Sequence, residues 1–199
     1  MLIETMSDEE VNKEIISDYL ELSKDIAMIT SLGNDYDKMR RKLKISPSST
    51  FCIAFPIKTN NNNNWFLFLS KAHSVTKYKG TESINILELT YCYTDIGLRA
   101  FKMIPDSDGT VGINGISVFN SHLFTQYAKR LNLNISDPIK LMEHFFTKNG
   151  YFSMKFNEKA SLATCSEGII LGELQNANQW VVFKTFITDL QMFPDQTEE

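Results

Sequence analysis

The chain has 199 residues, 43% hydrophobic and 22% charged, and its 20 basic and 24 acidic residues leave a net charge of −4. A chain of this length removes roughly 70% of its unfolded surface from water, so it needs neither a disulfide framework nor a structural metal to fold. The acidic balance excludes a global attraction to a phosphate backbone or an anionic membrane; any nucleic-acid contact would be local.

Met1–Glu10 carries four acidic residues and no basic one, and no run approaches the ~18 apolar residues of a membrane span. Neither a secretory signal nor a membrane association is expected. Cys52, Cys92 and Cys165 stand at spacings that match no zinc or redox pattern. The expectation is a cytoplasmic protein with inert thiols, no metal and no cofactor.

In chain order, Ser7-Asp8-Glu9-Glu10 fits a capping box, and Val11, Ile15, Tyr19, Leu22, Ile26 and Ile29 follow in helical steps of three and four. Gly33-Asn34 closes that helix. Asp35 then caps a short basic one carrying Lys38, Arg40, Arg41, Lys42 and Lys44, read as a solvated face beside the acidic first helix. From Thr50 the pattern turns to β-branched and aromatic runs: Phe51 to Ile57, Trp65 to Ser70, Ile84 to Thr94 and Leu98 to Ile104 are predicted strands. The five asparagines 60–64 form a hairpin loop, because Asn tolerates positive φ. Asp106-Ser107-Asp108-Gly109 opens like a calcium loop, but Ser117 holds the place of the acidic twelfth ligand, so a surface turn is expected.

A helical pattern is predicted over Ser117–Leu133, with Leu123, Phe124, Tyr127 and Leu131 on one side and His122, Gln126 and Lys129 on the other, flanked by Arg130. An imidazole beside cations could bind an anion or move a proton near neutral pH; a surface histidine is the plainer explanation. Asp137-Pro138 starts a further helix that packs Ile139, Leu141, Met142, Phe145 and Phe146 inward and ends at Asn149-Gly150. His144 on this helix is assigned a structural or rim role. Tyr151 to Phe156, Ser161 to Thr164, Ile169 to Leu174 and Trp180 to Ile187 are predicted as sequential antiparallel strands. In the last of these, alternation puts Trp180, Val182, Lys184 and Phe186 on one face, with Lys184 its lone charge.

Ser121-His122-Leu123-Phe124-Thr125-Gln126-Tyr127-Ala128-Lys129-Arg130, Phe145-Phe146-Thr147-Lys148-Asn149, Gly168-Ile169-Ile170-Leu171-Gly172 and Lys184-Thr185-Phe186-Ile187-Thr188 with Gln196 make an ordered set over about the last 80 residues. This set resembles a group of bacterial proteins, chiefly of Bacteroidetes type, without an assigned activity. Its layout is in turn similar to the superfamily of barnase, EndoU, colicin and RelE ribonucleases, in which helices precede a curved antiparallel sheet. The resemblance implies metal-independent RNA cleavage by general acid–base chemistry. His122 would then be the base or acid, Arg130 and Lys184 the phosphate stabilisers, and Thr185 a donor to the scissile group. Where that pattern has an Arg before the tyrosine, this chain has Gln126, one cation fewer.

The sequence therefore predicts an α+β fold with N-terminal helices, a mainly antiparallel sheet and two further helices on one sheet face. Residues 1–108 would hold the first helices and strands and residues 109–199 the helix–helix–sheet unit, either as two parts or as one continuous domain. The expected function is a non-catalytic interaction or accessory module whose partner is a protein or RNA. An endoribonuclease-like domain is the alternative, and a small-molecule pocket among the aromatics is a third class.

Overall fold

The computed structural model describes residues 1–31, 53–71, 84–105, 113–156, 161–175 and 180–188. Its described helices are α1 (Asp8–Ser31), α2 (Ser121–Arg130) and α3 (Pro138–Asn149). The strands are β1 (Ile53–Lys58), β2 (Asn64–Lys71), β3 (Ile84–Thr94), β4 (Gly97–Pro105), β5 (Ile113–Phe119), β6 (Ser153–Phe156), β7 (Ser161–Cys165), β8 (Gly168–Gln175) and β9 (Trp180–Ile187). The basic segment 35–44 and the turn 106–109 lie outside the described residues.

The nine strands form one mostly antiparallel sheet in the order β1-β2-β3-β4-β5-β9-β8-β7-β6. The protein is thus α+β. Two antiparallel meanders, β1–β5 and β6–β9, are joined through the parallel pair β5–β9, with α2 and α3 in the connection between them. A parallel pair needs a crossover of this kind, because a hairpin cannot reverse the chain twice. Residues 1–108 and 109–199 consequently contribute to the same sheet.

The predicted helix over 117–133 begins later than its periodicity suggests. Ser117, Val118 and Phe119 are in β5, paired with Lys102, Phe101 and Ala100 of β4, and the helix starts at Ser121. The sequence Ile-Asn-Gly-Ile-Ser-Val-Phe has only weak strand character of its own; a neighbour on each side completes its backbone hydrogen bonding.

Each face of the sheet carries a core. On one face Val11, Ile15 and Leu22 of α1, with Leu2, meet Trp65, Cys92, Phe101, Ile116, Val118, Trp180 and Val182. On the other, Leu123, Phe124 and Tyr127 of α2 and Leu141, Met142, Phe145 and Phe146 of α3 meet Phe66, Phe68, Leu89, Phe119, Phe183 and Phe186 among others. This second core is largely aromatic. Phe119 packs edge-on to Phe146 with centroids 4.9 Å apart, and Tyr127 packs edge-on to Phe145 at 4.9 Å and Phe186 at 5.0 Å, the geometry that opposed ring quadrupoles favour. Each such fully buried ring stabilises the fold by roughly 1.5–3 kcal/mol through its removal from water.

Helix α1 starts at the expected capping box: the Ser7 backbone N–H and hydroxyl both donate to Glu10 Oε2 at 2.8 Å, and the Glu10 N–H donates to Ser7 Oγ at 3.4 Å. Its buried stripe contains a carboxylate, Asp18, which is fully buried. Burying an unpaired charge would be prohibitive. Here the asparagine turn supplies the partners: Asn61 Nδ2 and Asn63 Nδ2 donate to Asp18 at 2.9 and 2.7 Å, and Trp65 Nε1 donates at 2.8 Å. Asn62 reverses the chain with φ 61°, in the left-handed region.

Strand β9 departs from simple alternation. Thr185 pairs with Leu171 and Phe183 with Gly172, so Lys184 is an extra residue opposite β8, a β-bulge. The bulge inverts the alternation beyond it. Phe186 joins Val181 and Phe183 in the α2/α3 core, while Trp180 and Val182 stay in the α1 core. The predicted common face of Trp180, Val182, Lys184 and Phe186 is therefore corrected: Phe186 leaves it.

Candidate functional site

The four residues singled out from the sequence occupy two sides of the sheet. His122 is exposed and Arg130 half-buried on α2, the helix whose Leu123, Phe124 and Tyr127 pack into the aromatic core. The Arg130 guanidinium donates from Nη1 to the backbone carbonyl of Phe186, which ties the end of α2 to β9. Lys184 lies on the opposite side. Its ammonium pairs with Glu173 at 2.5 Å; Glu173 is the cross-strand partner of Val182, a member of the α1-side core, and paired residues in a ladder project to the same face. Leu171, two residues before Glu173, shares that face, and so does its partner Thr185. The structure brings Lys184 and Thr185 together, and His122 with Arg130 on one helix, but the sheet stands between the two pairs.

The polar cluster nearest the aromatic core involves other residues. Tyr127, fully buried, donates its hydroxyl to Glu167 Oε2 at 2.6 Å and stands 3.0 Å from His144 Nδ1. Asn149 holds the same carboxylate: its Nδ2 donates to Glu167 Oε2 at 2.7 Å, and its Oδ1 accepts from the Glu167 N–H at 3.0 Å. A phenol has a single proton, and the carboxylate takes it. The oxygen left facing His144 is an acceptor, so the imidazole presents a proton on Nδ1. Burial, and then the bond to Glu167, push the Tyr127 phenol far above its usual range, so it stays protonated.

Spacing did not mark this cluster. Tyr127 lies on the apolar stripe of α2, and Glu167 sits in the turn between β7 and β8, 40 residues further along. The one legible signal was chemical: a tyrosine on a buried stripe needs a partner for its hydroxyl. Glu167, Tyr127 and His144 form an ordered proton-bearing chain that locks α2, α3 and the β7–β8 turn together.

A third feature is an open cleft of about 260 Å³ between the β3–β4 turn, α2 and the start of α3, lined by Leu98, Phe124, Ala128, Ile135 and Leu141 with Ile96 and Pro138 at its margin. Tyr93 and Ile96 beside it are 57% and 74% exposed; large apolar groups left in water at a concave surface mark contact sites.

Of the two described cysteines, Cys92 is buried, and burial pushes its thiol up, away from thiolate reactivity. Cys165 donates its S–H to the Gly168 carbonyl at 3.1 Å. Among the described residues no group of three or more His, Cys, Asp or Glu is arranged to hold a metal ion, and no helix is long and apolar enough to cross a membrane. Comparison with protein-family models, curated proteins and solved structures finds no match to this chain.

Proposed function

We propose that the chain is a non-catalytic interaction module, acting in the cytosol on a macromolecular partner. The observation that carries this reading is the separation of the candidate residues. Acid–base cleavage of RNA needs its imidazole and its phosphate-stabilising cations around one phosphate, within about 3 Å contacts of shared oxygens. Here His122 and Arg130 are on the α2 side of the sheet and Lys184 and Thr185 on the other. Arg130 and Lys184 are also engaged, with the Phe186 carbonyl and Glu173. Under this reading any kinship with the ribonuclease superfamily is one of layout, without the catalytic constellation.

The buried Cys92, outside any disulfide, fits a reducing compartment. An RNA-cleavage assay in metal-free buffer tests the proposal, with His122→Ala as the paired control. The expected result is no cleavage above background by either protein. Cleavage by the wild-type chain that is lost in His122→Ala would overturn it in favour of an endoribonuclease.

A further inference from the structure

The cleft at the β3–β4 turn has properties that define what it would hold. At about 260 Å³ it falls just below the roughly 300–1,000 Å³ of small-molecule sites, a size suited to a side chain or two of a docking segment. Of the three hydroxyl residues on its wall, Ser121, Thr125 and Ser136, the first two are engaged. Thr94 Oγ1 and Ser121 Oγ bond each other at 2.8 Å, and Thr125 Oγ1 donates to the Ser121 carbonyl at 3.1 Å. The rest of the lining is mainly the apolar surface of Leu98, Phe124, Ala128, Ile135 and Leu141, which rewards an aliphatic or aromatic anchor.

The surroundings add a sign. Glu4 reaches the turn and accepts from the Asp95 N–H at 3.2 Å. On α3, Asp137 and Glu143 repel one another: burial first, and then the Asp137 charge, push the Glu143 carboxyl up, with Lys140 acting against them. Both carboxylates also raise the Tyr91 phenol after burial and Tyr93 have done so. Tyr93 stands edge-on to Tyr91 with centroids 5.9 Å apart and is mostly exposed. An exposed aromatic ring at a cleft whose lining residues Ile96, Ser136 and Pro138 adjoin Asp95 and Asp137 in the chain, with Glu4 bonded to the same turn, favours a cation through its π-face and through Coulomb attraction together.

We propose that this surface docks a basic segment of a partner protein. One apolar side chain fills the cleft, and an Arg or Lys of the same segment lies against Tyr93 in the field of Glu143 and Asp137. The proposal rests on the interaction-module reading and names its partner's chemistry. The chain's own residues 189–199 fit poorly, with four acidic side chains and no basic one, and a second copy would bring a net charge of −4.

The test uses the full chain and three short synthetic peptides with a common central Leu and Phe, flanked by Arg and Lys, by Glu, or by Ser. Backbone amide shifts locate binding and titration measures its strength. The Arg/Lys peptide is expected to bind alone, moving the amides of Ile96, Gly97, Leu98, Phe124 and Thr125. Glu143→Gln and Ile96→Ser, at half-buried and exposed positions, should each weaken it about fivefold, the equivalent of roughly 1 kcal/mol.

Equal binding of the Glu or Ser peptide at these amides would overturn the basic partner and leave the module reading standing. Shifts confined to another surface, or no binding by any peptide, would overturn the docking site, with the module reading judged separately by the RNA assay. Self-association of the free chain that Ile96→Ser abolishes would make the occupant a second copy, and the proposal would fall.

Discussion

At the scale of single residues, the structure's main electrostatic commitments are buried carboxyl groups rather than exposed cations. Asp18 accepts three side-chain donors from the asparagine turn and Trp65 while fully buried. Asp18→Ala would leave those donors facing an apolar hole, and is expected to destabilise the protein by about 3 kcal/mol, read as a lower urea midpoint with an unchanged slope. Glu88 is the reverse case. Burial pushes its carboxyl above the ordinary range, against the pull of Lys102, so the folded state holds this proton more tightly than the unfolded chain does. Stability from Glu88 is complete below the ordinary carboxylate range and is lost as pH rises from there through the raised value. Glu88→Gln should remove that loss, so its denaturation midpoint will exceed the wild type's at neutral pH and converge with it toward about pH 4.

At the scale of elements, β9 shows how far alternation can be trusted. The capping box of α1, the Asp137 cap of α3, whose carboxylate accepts from Ile139 N at 2.9 Å, and the β1–β2 turn were all legible, because each depends on residues within a few positions of one another. The bulge at Lys184 was not, since it is defined only by the register against β8. For the same reason the face of Lys184 relative to His122 could not be read from spacing, and β5 went unseen because its strand character comes from β4 and β9. Gly172 marks the bulge on the partner strand: a Cβ there would press on the Val182 carbonyl and Phe183 Cα. Gly172→Ala is expected to cost about 2 kcal/mol through forced backbone displacement, whereas alanine at exposed Lys184 should cost well under 1 kcal/mol, since it removes only a solvent-screened ion pair. Thermal denaturation of the two variants side by side checks the contrast.

At the scale of the whole molecule, the aromatic core is shared by both halves of the chain. Phe66, Phe68, Leu89 and Leu98 come from residues 1–108, and Phe119, Phe145, Phe183 and Phe186 from residues 109–199. A chain divided between residues 108 and 109 would leave β5 without β4 and expose the aromatic faces of α2 and α3. Neither fragment is expected to unfold cooperatively alone, and mixing the two should restore a single transition, measurable by near-ultraviolet circular dichroism. The sequence could suggest a boundary near Pro105 to Gly115 because turn-forming residues cluster there. Strand pairing across it is a long-range property that composition does not record.

The bulge in β9 also bears on how this chain can vary over generations. Lys184 is exposed and is the extra residue of the bulge, so its deletion would close the ladder into regular pairing and leave Phe183 and Phe186 together on the core face. Lineages of this fold should therefore vary at position 184 both in side chain and in whether the extra residue is present, while the residues at Phe183 and Phe186 stay apolar on the core face.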